Sequence, residues 1–167
     1  MSKEIDISYT WDKETYVKAS KVAYDYELKK SNRKYIGWFF IALTQFGVVA
    51  AMKKGSISLL LVSSFLVLYW YFFRWGLRKK VIETTFDKLE NANQQYNVKI
   101  SNEQLTINES PILWEDISQV TSLKDGLFIY LNQNSIFIPS SAFKNMEEKN
   151  DFLTLLKEKV SNYTRGE

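Results

Sequence analysis

Residues 35–52 read YIGWFFIALTQFGVVAAM and residues 55–73 read GSISLLLVSSFLVLYWYFF, with only Lys53 and Lys54 between them. Neither apolar run contains a charged residue. As helices that rise about 1.5 Å per residue, the runs would each span roughly 27–29 Å, close to the ~30 Å hydrocarbon thickness of a bilayer. Two such runs in succession are hard to bury within a chain of 167 residues. The pattern therefore predicts a transmembrane hairpin of two helices.

Basic residues on both sides of the hairpin predict how it crosses the membrane. Four cations shortly precede the first apolar run and four follow the second, whereas the loop carries two. By the positive-inside rule, this asymmetry places both termini in the cytoplasm and predicts a multi-pass membrane protein. Trp38 and Trp70 lie near the basic end of the hairpin, which is typical of an aromatic belt at the cytoplasmic interface.

The flanking cations have two interpretations. In the first, they only orient the hairpin. In the second, they form a site for anionic lipid headgroups, to which each cation near the surface contributes on the order of 1 kcal/mol. The eight candidate headgroup contacts are Lys29, Lys30, Arg33, Lys34, Arg74, Arg78, Lys79 and Lys80.

Charge is distributed unevenly along the chain. The formal net charge is +2 over residues 1–35, +6 over residues 36–80 and −5 over residues 81–167. The basic excess therefore lies where lipid headgroups would be, and the acidic C-terminal part would be repelled by the phosphates of a nucleic acid. The polar start at Met1 has no apolar core of the signal-peptide kind, so we expect no cleaved leader.

Composition also excludes several kinds of active site. The chain has no cysteine and no histidine, which excludes disulfides, Cys/His zinc sites, cysteine nucleophiles and histidine bases. Glu115 and Asp116 are neighbours on a predicted strand and would point to opposite faces. Glu147 and Glu148 fall in the first turn of a predicted helix, where they complement its dipole. We therefore predict no enzyme activity and no catalytic, cofactor-binding or metal site.

The chain is predicted to consist of four segments. Residues 1–34 form a short strand, in which Ile5 and Ile7 alternate with polar residues, followed by an amphipathic helix. Residues 35–75 form the hairpin. Residues 76–94 form a helix that continues the second span, and residues 95–163 form a β-rich domain. Because both ends of the chain lie on the same side of the membrane, we expect the first strand to join the C-terminal sheet.

Short alternating runs and turn residues predict the β-rich domain. The predicted strands are residues 96–100, 104–108, 112–122 (where a bulge is an alternative), 126–131 and 135–139. Asp125-Gly126 is the strongest hairpin turn among the connections. A last helix starts near Asn145, with Glu148 three residues later, and its apolar stripe includes Phe152 and Leu156. The fold class is therefore α+β.

Several pieces of this pattern resemble the YcxB-like family of bacterial membrane proteins. The most telling are WEDI at residues 114–117 with Val120, LFIYL at residues 127–131, and FIPSSAF at residues 137–143. With the strand, helix and hairpin before them, the resemblance covers essentially the whole chain. It implies the cytoplasmic membrane of a bacterium and a C-terminal domain similar to pleckstrin-homology (PH) folds, in which a C-terminal helix closes a curved antiparallel sheet. The family has no established catalytic motif that could be matched to residues of this chain.

Two functions remain open from the sequence. The first is a non-enzymatic binding or scaffold module that presents the PH-like domain at the cytoplasmic membrane face. Its partners would be the bilayer, anionic headgroups or another protein, and not nucleic acid. The alternative is a self-protection protein that gives immunity to a bacteriocin or similar toxin.

Overall fold

The computed structural model describes residues 4–55, 57–132 and 134–166 and has an α+β architecture. The fold class expected from the sequence is confirmed at this level. Three sequence predictions touch residues outside the described ranges. They are the leaderless start at Met1, the second apolar run at Ser56, and the turn before the last predicted strand at Gln133.

The chain divides into two compact units. Unit 1 comprises Met1–Val22 and Lys88–Glu167, and unit 2 comprises Ala23–Asp87. Unit 2 is therefore an insertion between two parts of unit 1 along the sequence.

Unit 2 is helical and contains the apolar hairpin. The helices in chain order are α1 (Lys13–Lys30, which begins in unit 1), α2 (Ile36–Lys54), α3 (Ser58–Leu68) and α4 (Arg74–Phe86); a 3₁₀ turn covers Asn32–Tyr35 and a π-helical turn covers Tyr69–Phe73. The helical stretches Asn32–Lys54 and Ser58–Phe86 are long and apolar enough to cross a membrane, by length and composition.

Glycine residues determine the end of α2 and its packing. Gly55 follows α2 with a φ of 65°, a left-handed conformation that glycine adopts without a steric penalty, and its N–H bonds to the Ala51 carbonyl at 3.0 Å. A Cβ at Gly47 would lie 2.7 Å from the Leu60 Cα, so α2 and α3 pack closely at this point. Any larger residue at position 47 would push the two helices apart.

The helix that follows the second apolar run is shorter than predicted. The sequence predicts a helix over residues 76–94, but α4 ends at Phe86 and turns occupy most of the remainder. Two asparagines disfavour a helix in the last part of this segment. Asn91 and Asn93 are poor helix formers, and Asn93 adopts a left-handed φ of 59°. The Asn93 N–H bonds instead to the Trp11 carbonyl at 2.9 Å.

Unit 1 contains two four-stranded sheets. Sheet A has the order β1-β2-β3-β4, all antiparallel, and sheet B has the order β7-β6-β5-β8, antiparallel except for the parallel pair β5-β8. The strands are β1 (Ile5–Thr10), β2 (Gln95–Ile100), β3 (Leu105–Ile107), β4 (Ser110–Ile112), β5 (Ile117–Leu123), β6 (Gly126–Leu131), β7 (Ser135–Pro139) and β8 (Tyr163–Arg165). The sequence did not predict β4 and β8 as separate strands.

The N-terminal strand pairs with the C-terminal part of the chain, as expected. Ile7 of β1 lies opposite Val98 of β2 in an antiparallel ladder that includes all six residues of β1. The Tyr9 hydroxyl donates a hydrogen bond to the Phe137 carbonyl of sheet B at 2.9 Å, and burial raises the Tyr9 pKa far above its usual value. This bond connects the two sheets.

The region around Trp114 is not the single strand over residues 112–122 that the sequence predicts. A 3₁₀ turn at Trp114–Asp116 separates β4 from β5, and the Asp116 N–H bonds to the Leu113 carbonyl at 3.0 Å. Successive acidic residues are unfavourable in a strand, which explains the break. The register also shifts between Ile117 and Gln119, so the bulge that the sequence offered as the alternative is present within β5. Glu115 and Asp116 are therefore exposed on a turn and do not alternate along a strand.

Two tight hairpins, between β5 and β6 and between β3 and β4, differ in where their glycine and left-handed residues lie. The predicted hairpin between β5 and β6 is confirmed, but Leu123 pairs with Gly126, so the two turn residues are Lys124 and Asp125 and Gly126 is the first residue of β6. Gly126 is needed there for close packing, because an added Cβ would lie 2.6 Å from the Ile138 carbonyl oxygen. The two left-handed residues of a type I′ turn occur instead at Asn108 and Glu109, with φ values of 46° and 68°.

A final helix, α5 (Met146–Lys159), packs on both sheets. Its predicted start is confirmed. The Asn145 side chain accepts a hydrogen bond from the Glu148 N–H at 2.8 Å, and the Glu148 carboxylate accepts one from the Lys144 N–H at 2.7 Å. Phe152 and Leu156 are fully buried in a core that includes apolar residues of sheets A and B. Unit 1 therefore has one hydrophobic core between two sheets and a helix.

Candidate functional site

The candidate site from the sequence is the set of eight flanking cations, and the structure brings part of this set together within unit 2. Arg33, Arg74 and Arg78 line one cavity of about 600 Å³, here called the arginine cavity. Lys29, Lys34 and Arg74 line a neighbouring cavity of about 550 Å³. Because Arg74 lines both cavities, it is the central cation of the group.

Arg74 lies between two aromatic rings. Its guanidinium carbon is 3.9 Å from the centre of the Trp70 ring and 5.0 Å from the centre of the Tyr24 ring. The Arg78 guanidinium also lies over Tyr24, at 4.5 Å. Each such cation–π contact contributes roughly 0.5–2 kcal/mol, depending on exposure. The stacked arrangement leaves the edges of the guanidinium free to donate hydrogen bonds in its own plane.

One of these donors has no acceptor. The Nη1 atom of Arg74 is buried and has no hydrogen-bond partner among the residues that the structure describes. A buried donor without a partner costs roughly 1–3 kcal/mol, and more when the group is charged. An oxygen acceptor within hydrogen-bond distance of this atom would remove this cost.

Local helix geometry positions Trp70 and Arg74. The π-helical turn Tyr69–Phe73 precedes α4, and single π turns of this kind frequently occur at functional sites. A Cβ on Gly37 of α2 would lie 2.7 Å from both the Trp70 indole nitrogen and the Tyr71 hydroxyl. The absence of a side chain at position 37 therefore makes room for the ring on which Arg74 stacks.

The other three predicted contacts do not line either cavity. Lys30, Lys79 and Lys80 are exposed. Lys79 forms an ion pair with Glu83 one turn later on α4, at 3.6 Å. Only five of the eight cations therefore contribute to the cavities.

The sequence did not identify the aromatic partners of the arginines. Trp70 was predicted only as part of an aromatic belt. The signal that would have found the contact is its spacing of four residues from Arg74, which places the two side chains on one helix face. Tyr24 comes from α1, more than forty residues earlier in the chain. Only the tertiary structure brings it to Arg74.

Acidic residues gather at the start of α5, where a cavity of about 460 Å³ is lined by Glu4, Asp6, Glu147, Glu148 and Asp151. Within residues 4–55, 57–132 and 134–166, no group of three or more Asp or Glu side chains is placed to hold a metal ion. One carboxylate oxygen of Glu148 accepts a hydrogen bond from the backbone N–H of Lys144, and the other lies 3.8 Å from the Lys144 ammonium. These contacts give Glu148 a structural role at the start of α5.

The fold defines a class of protein, namely an α+β chain with mainly antiparallel sheets and two helices long and apolar enough to cross a membrane. More particularly, the family model described as YcxB-like protein matches residues 100–156, which confirms the resemblance seen in the sequence for that segment. The matched segment runs from the end of β2 into α5 and leaves out the hairpin. No curated protein and no solved structure matches the chain.

Proposed function

We propose that the chain is a membrane-anchored, non-enzymatic binding module of the bacterial cytoplasmic membrane. The observation that carries this proposal is the exposed apolar surface of unit 2. Of the 21 large hydrophobic side chains that are exposed among the described residues, 19 lie between Tyr35 and Val81. A contiguous apolar surface of this kind is unfavourable in water and is typical of a helix pair solvated by lipid.

Polar side chains within α2 and α3 are also suited to a bilayer. The Thr44 hydroxyl donates to the Phe40 carbonyl at 2.9 Å, and the Ser63 hydroxyl donates to the Leu59 carbonyl at 2.8 Å. Each hydroxyl is therefore satisfied within its own helix, which hydrocarbon requires because it offers no hydrogen bonds.

The flanking cations support the orientation and a headgroup site. Cations are concentrated at the two outer ends of the hairpin, which favours a cytoplasmic location for both termini. The unpartnered Arg74 Nη1 atom fits a phosphate oxygen of an anionic lipid, since a guanidinium donates to phosphate in its plane. Trp70 and Tyr24 hold the guanidinium by stacking. The arginine cavity is then a headgroup site, and the cations do more than orient the hairpin.

The strand order of unit 1 supports a PH-like fold. Sheet A is a four-stranded antiparallel sheet, β5 to β7 are three successive antiparallel strands, and α5 follows them. The apolar face of α5 packs on residues of both sheets, as a helix that closes the end of a curved sheet would do. In this proposal, unit 1 is the part that binds a partner and unit 2 is the anchor.

Reporter fusions test the anchoring. Alkaline phosphatase folds only outside the cytoplasm, and green fluorescent protein fluoresces only when it folds inside. We expect fluorescence and no phosphatase activity from fusions at either terminus, and phosphatase activity from an insertion after Gly55. Phosphatase activity at a terminus, or recovery of the chain in the soluble fraction, would refute the anchor.

Lipid retention tests the headgroup site. The full chain is reconstituted with phosphatidylglycerol and phosphatidylcholine, and native mass spectrometry counts the retained lipids. Arg74→Gln should lower phosphatidylglycerol retention several-fold, because it removes the stacked cation. Lys30→Gln removes the same charge outside both cavities and should have little effect. Equal retention by all three proteins would mean that the cations only orient the hairpin.

A further inference from the structure

A second basic surface lies in unit 1, far along the sequence from the hairpin. It is a groove of about 950 Å³ beside α5 and β8, here called the α5–β8 groove. Its cations are Lys124, Lys149, Lys157 and Arg165, and none of its other lining residues in the described ranges is acidic. The volume is in the range of small-ligand sites.

The fold assembles these cations from three separate elements. Lys149 and Lys157 lie two turns apart on one face of α5, with Leu153 between them. Arg165 comes from β8, which is held in place by its parallel pairing with β5, where Ser122 lies opposite Arg165. Lys124 comes from the β5–β6 turn. Bringing like charges together in this way is unfavourable unless an anion neutralises them.

Lys149 is the unusual member of the group. It is only 8% exposed, and its ammonium donates to the Ser140 hydroxyl at 2.8 Å and to the Lys124 carbonyl at 3.5 Å. Both acceptors are neutral, and no carboxylate lies within ion-pair distance of Lys149 in the described part of the chain. Burial lowers the Lys149 pKa, Asp125 nearby raises it, and Arg165 lowers it, with burial the largest effect. A buried cation is seldom retained without an anionic partner.

We propose that the α5–β8 groove binds a phosphoryl group, carried by a small organophosphate or by a lipid headgroup. A phosphomonoester carries a charge of about −1.5 to −2 and several acceptor oxygens, which suits four cations better than a single carboxylate does. Arg165 supplies a planar set of donors and Lys149 a point charge, the combination that phosphate sites use. A nucleic acid is disfavoured because residues 81–167 carry a net charge of −5.

This inference extends the proposed binding role of unit 1 by naming a ligand class. It does not depend on the anchor, because every lining residue lies within unit 1. Binding of a soluble phosphoryl compound therefore tests the groove separately from the membrane topology.

The probe is pyrophosphate, titrated calorimetrically into the full chain in nanodiscs of phosphatidylcholine. We expect saturable binding that Lys149→Met weakens by about tenfold or more, because the buried charge is lost and the side-chain volume is kept. Lys159→Gln removes an α5 charge that does not line the groove and should leave the affinity unchanged. Thermal unfolding of each variant shows whether it is folded. Lys149→Met leaves the hydrogen bond between the Ser140 hydroxyl and the Lys124 carbonyl intact.

A second set of nanodiscs, which also contain phosphatidic acid, distinguishes the two sources of the phosphoryl group. If phosphatidic acid competes with pyrophosphate, the phosphoryl group that the groove binds belongs to a lipid headgroup. If pyrophosphate binding is undiminished, the phosphoryl group belongs to a soluble organophosphate. Absence of saturable pyrophosphate binding overturns the proposal. So does an equal loss of affinity in Lys149→Met and Lys159→Gln, which would show that only the overall charge matters.

Discussion

At the scale of single residues, two cations indicate binding sites because each is at least partly buried without an anionic partner among the described residues. Arg74 is stacked on Trp70 and Tyr24 but leaves one buried nitrogen without an acceptor among the described residues. Lys149 is buried against neutral oxygens. An exposed lysine such as Lys80 has no comparable cost, because water solvates it. The two poorly compensated cations therefore mark the proposed anion sites.

Lys149 should make the stability of unit 1 depend on pH. Its pKa in the folded protein lies below the ordinary 10.5, so the folded state loses this proton at a lower pH than the unfolded state does. At pH values below the folded-state pKa, the buried charge therefore has its full destabilising effect on the fold. This destabilisation is relieved as pH rises through that pKa towards 10.5.

Lys149→Met removes the charge and provides the comparison. We expect the variant to be more stable than the natural chain at neutral pH, and the difference to shrink as the solution becomes alkaline. Urea unfolding of the two proteins, followed by the circular dichroism of the sheets at a series of pH values, measures this difference. A difference that does not change with pH would contradict the expected titration.

At the scale of elements, local sequence accounts for the ends of several helices and strands. Gly55 ends α2, and the Asn145 cap with Glu148 starts α5. Asn108 and Glu109 form the tight turn between β3 and β4. Trp114–Asp116 interrupts a strand because acidic residues disfavour one. These features depend on backbone preferences and on hydrogen bonds between near neighbours in the sequence.

The Asn145 cap predicts a matched pair of variants. Asn145→Ala removes the acceptor for the Glu148 N–H and should destabilise unit 1 by about 1 kcal/mol. Asn145→Asp keeps an acceptor oxygen and adds a charge that the helix dipole favours, so its stability should equal or exceed that of the natural chain. Urea unfolding measures both variants. Equal destabilisation by Ala and Asp would mean that the amide group itself, and not the cap, is required.

At the scale of the whole molecule, unit 2 is inserted between two strands that pair with each other. β1 ends at Thr10 and its partner β2 begins at Gln95, with the hairpin between them in sequence. Folding of unit 1 therefore requires a contact between residues roughly ninety positions apart. Closing so long a loop has an entropy cost, and contacts between near neighbours in the sequence do not offset it.

A substitution in β1 should therefore affect the core formed by the distant strands. Ile7 is 3% exposed and belongs to the core, whereas Ser8 is exposed on the other face of the same strand. Ile7→Asp should increase the hydrogen exchange of the Val98 and Ile100 amides by orders of magnitude, because it buries an unpaired charge. Ser8→Asp adds the same charge on the exposed face and should leave this protection nearly unchanged. Similar exchange in both variants would show that β1 is not needed for the core.

The sequence by itself determined the features that depend on composition and on short-range periodicity. These are the two apolar helices, most of the strands, the α5 cap, the α+β class and the resemblance that the family match over residues 100–156 confirms. Only the tertiary structure decided which side chains meet. Tyr24 lies beside Arg74, and Lys124, Lys149 and Arg165 line one groove. The physical reason is that hydrophobic patterning specifies which face of an element is buried, whereas contacts between distant residues depend on how all the elements pack together.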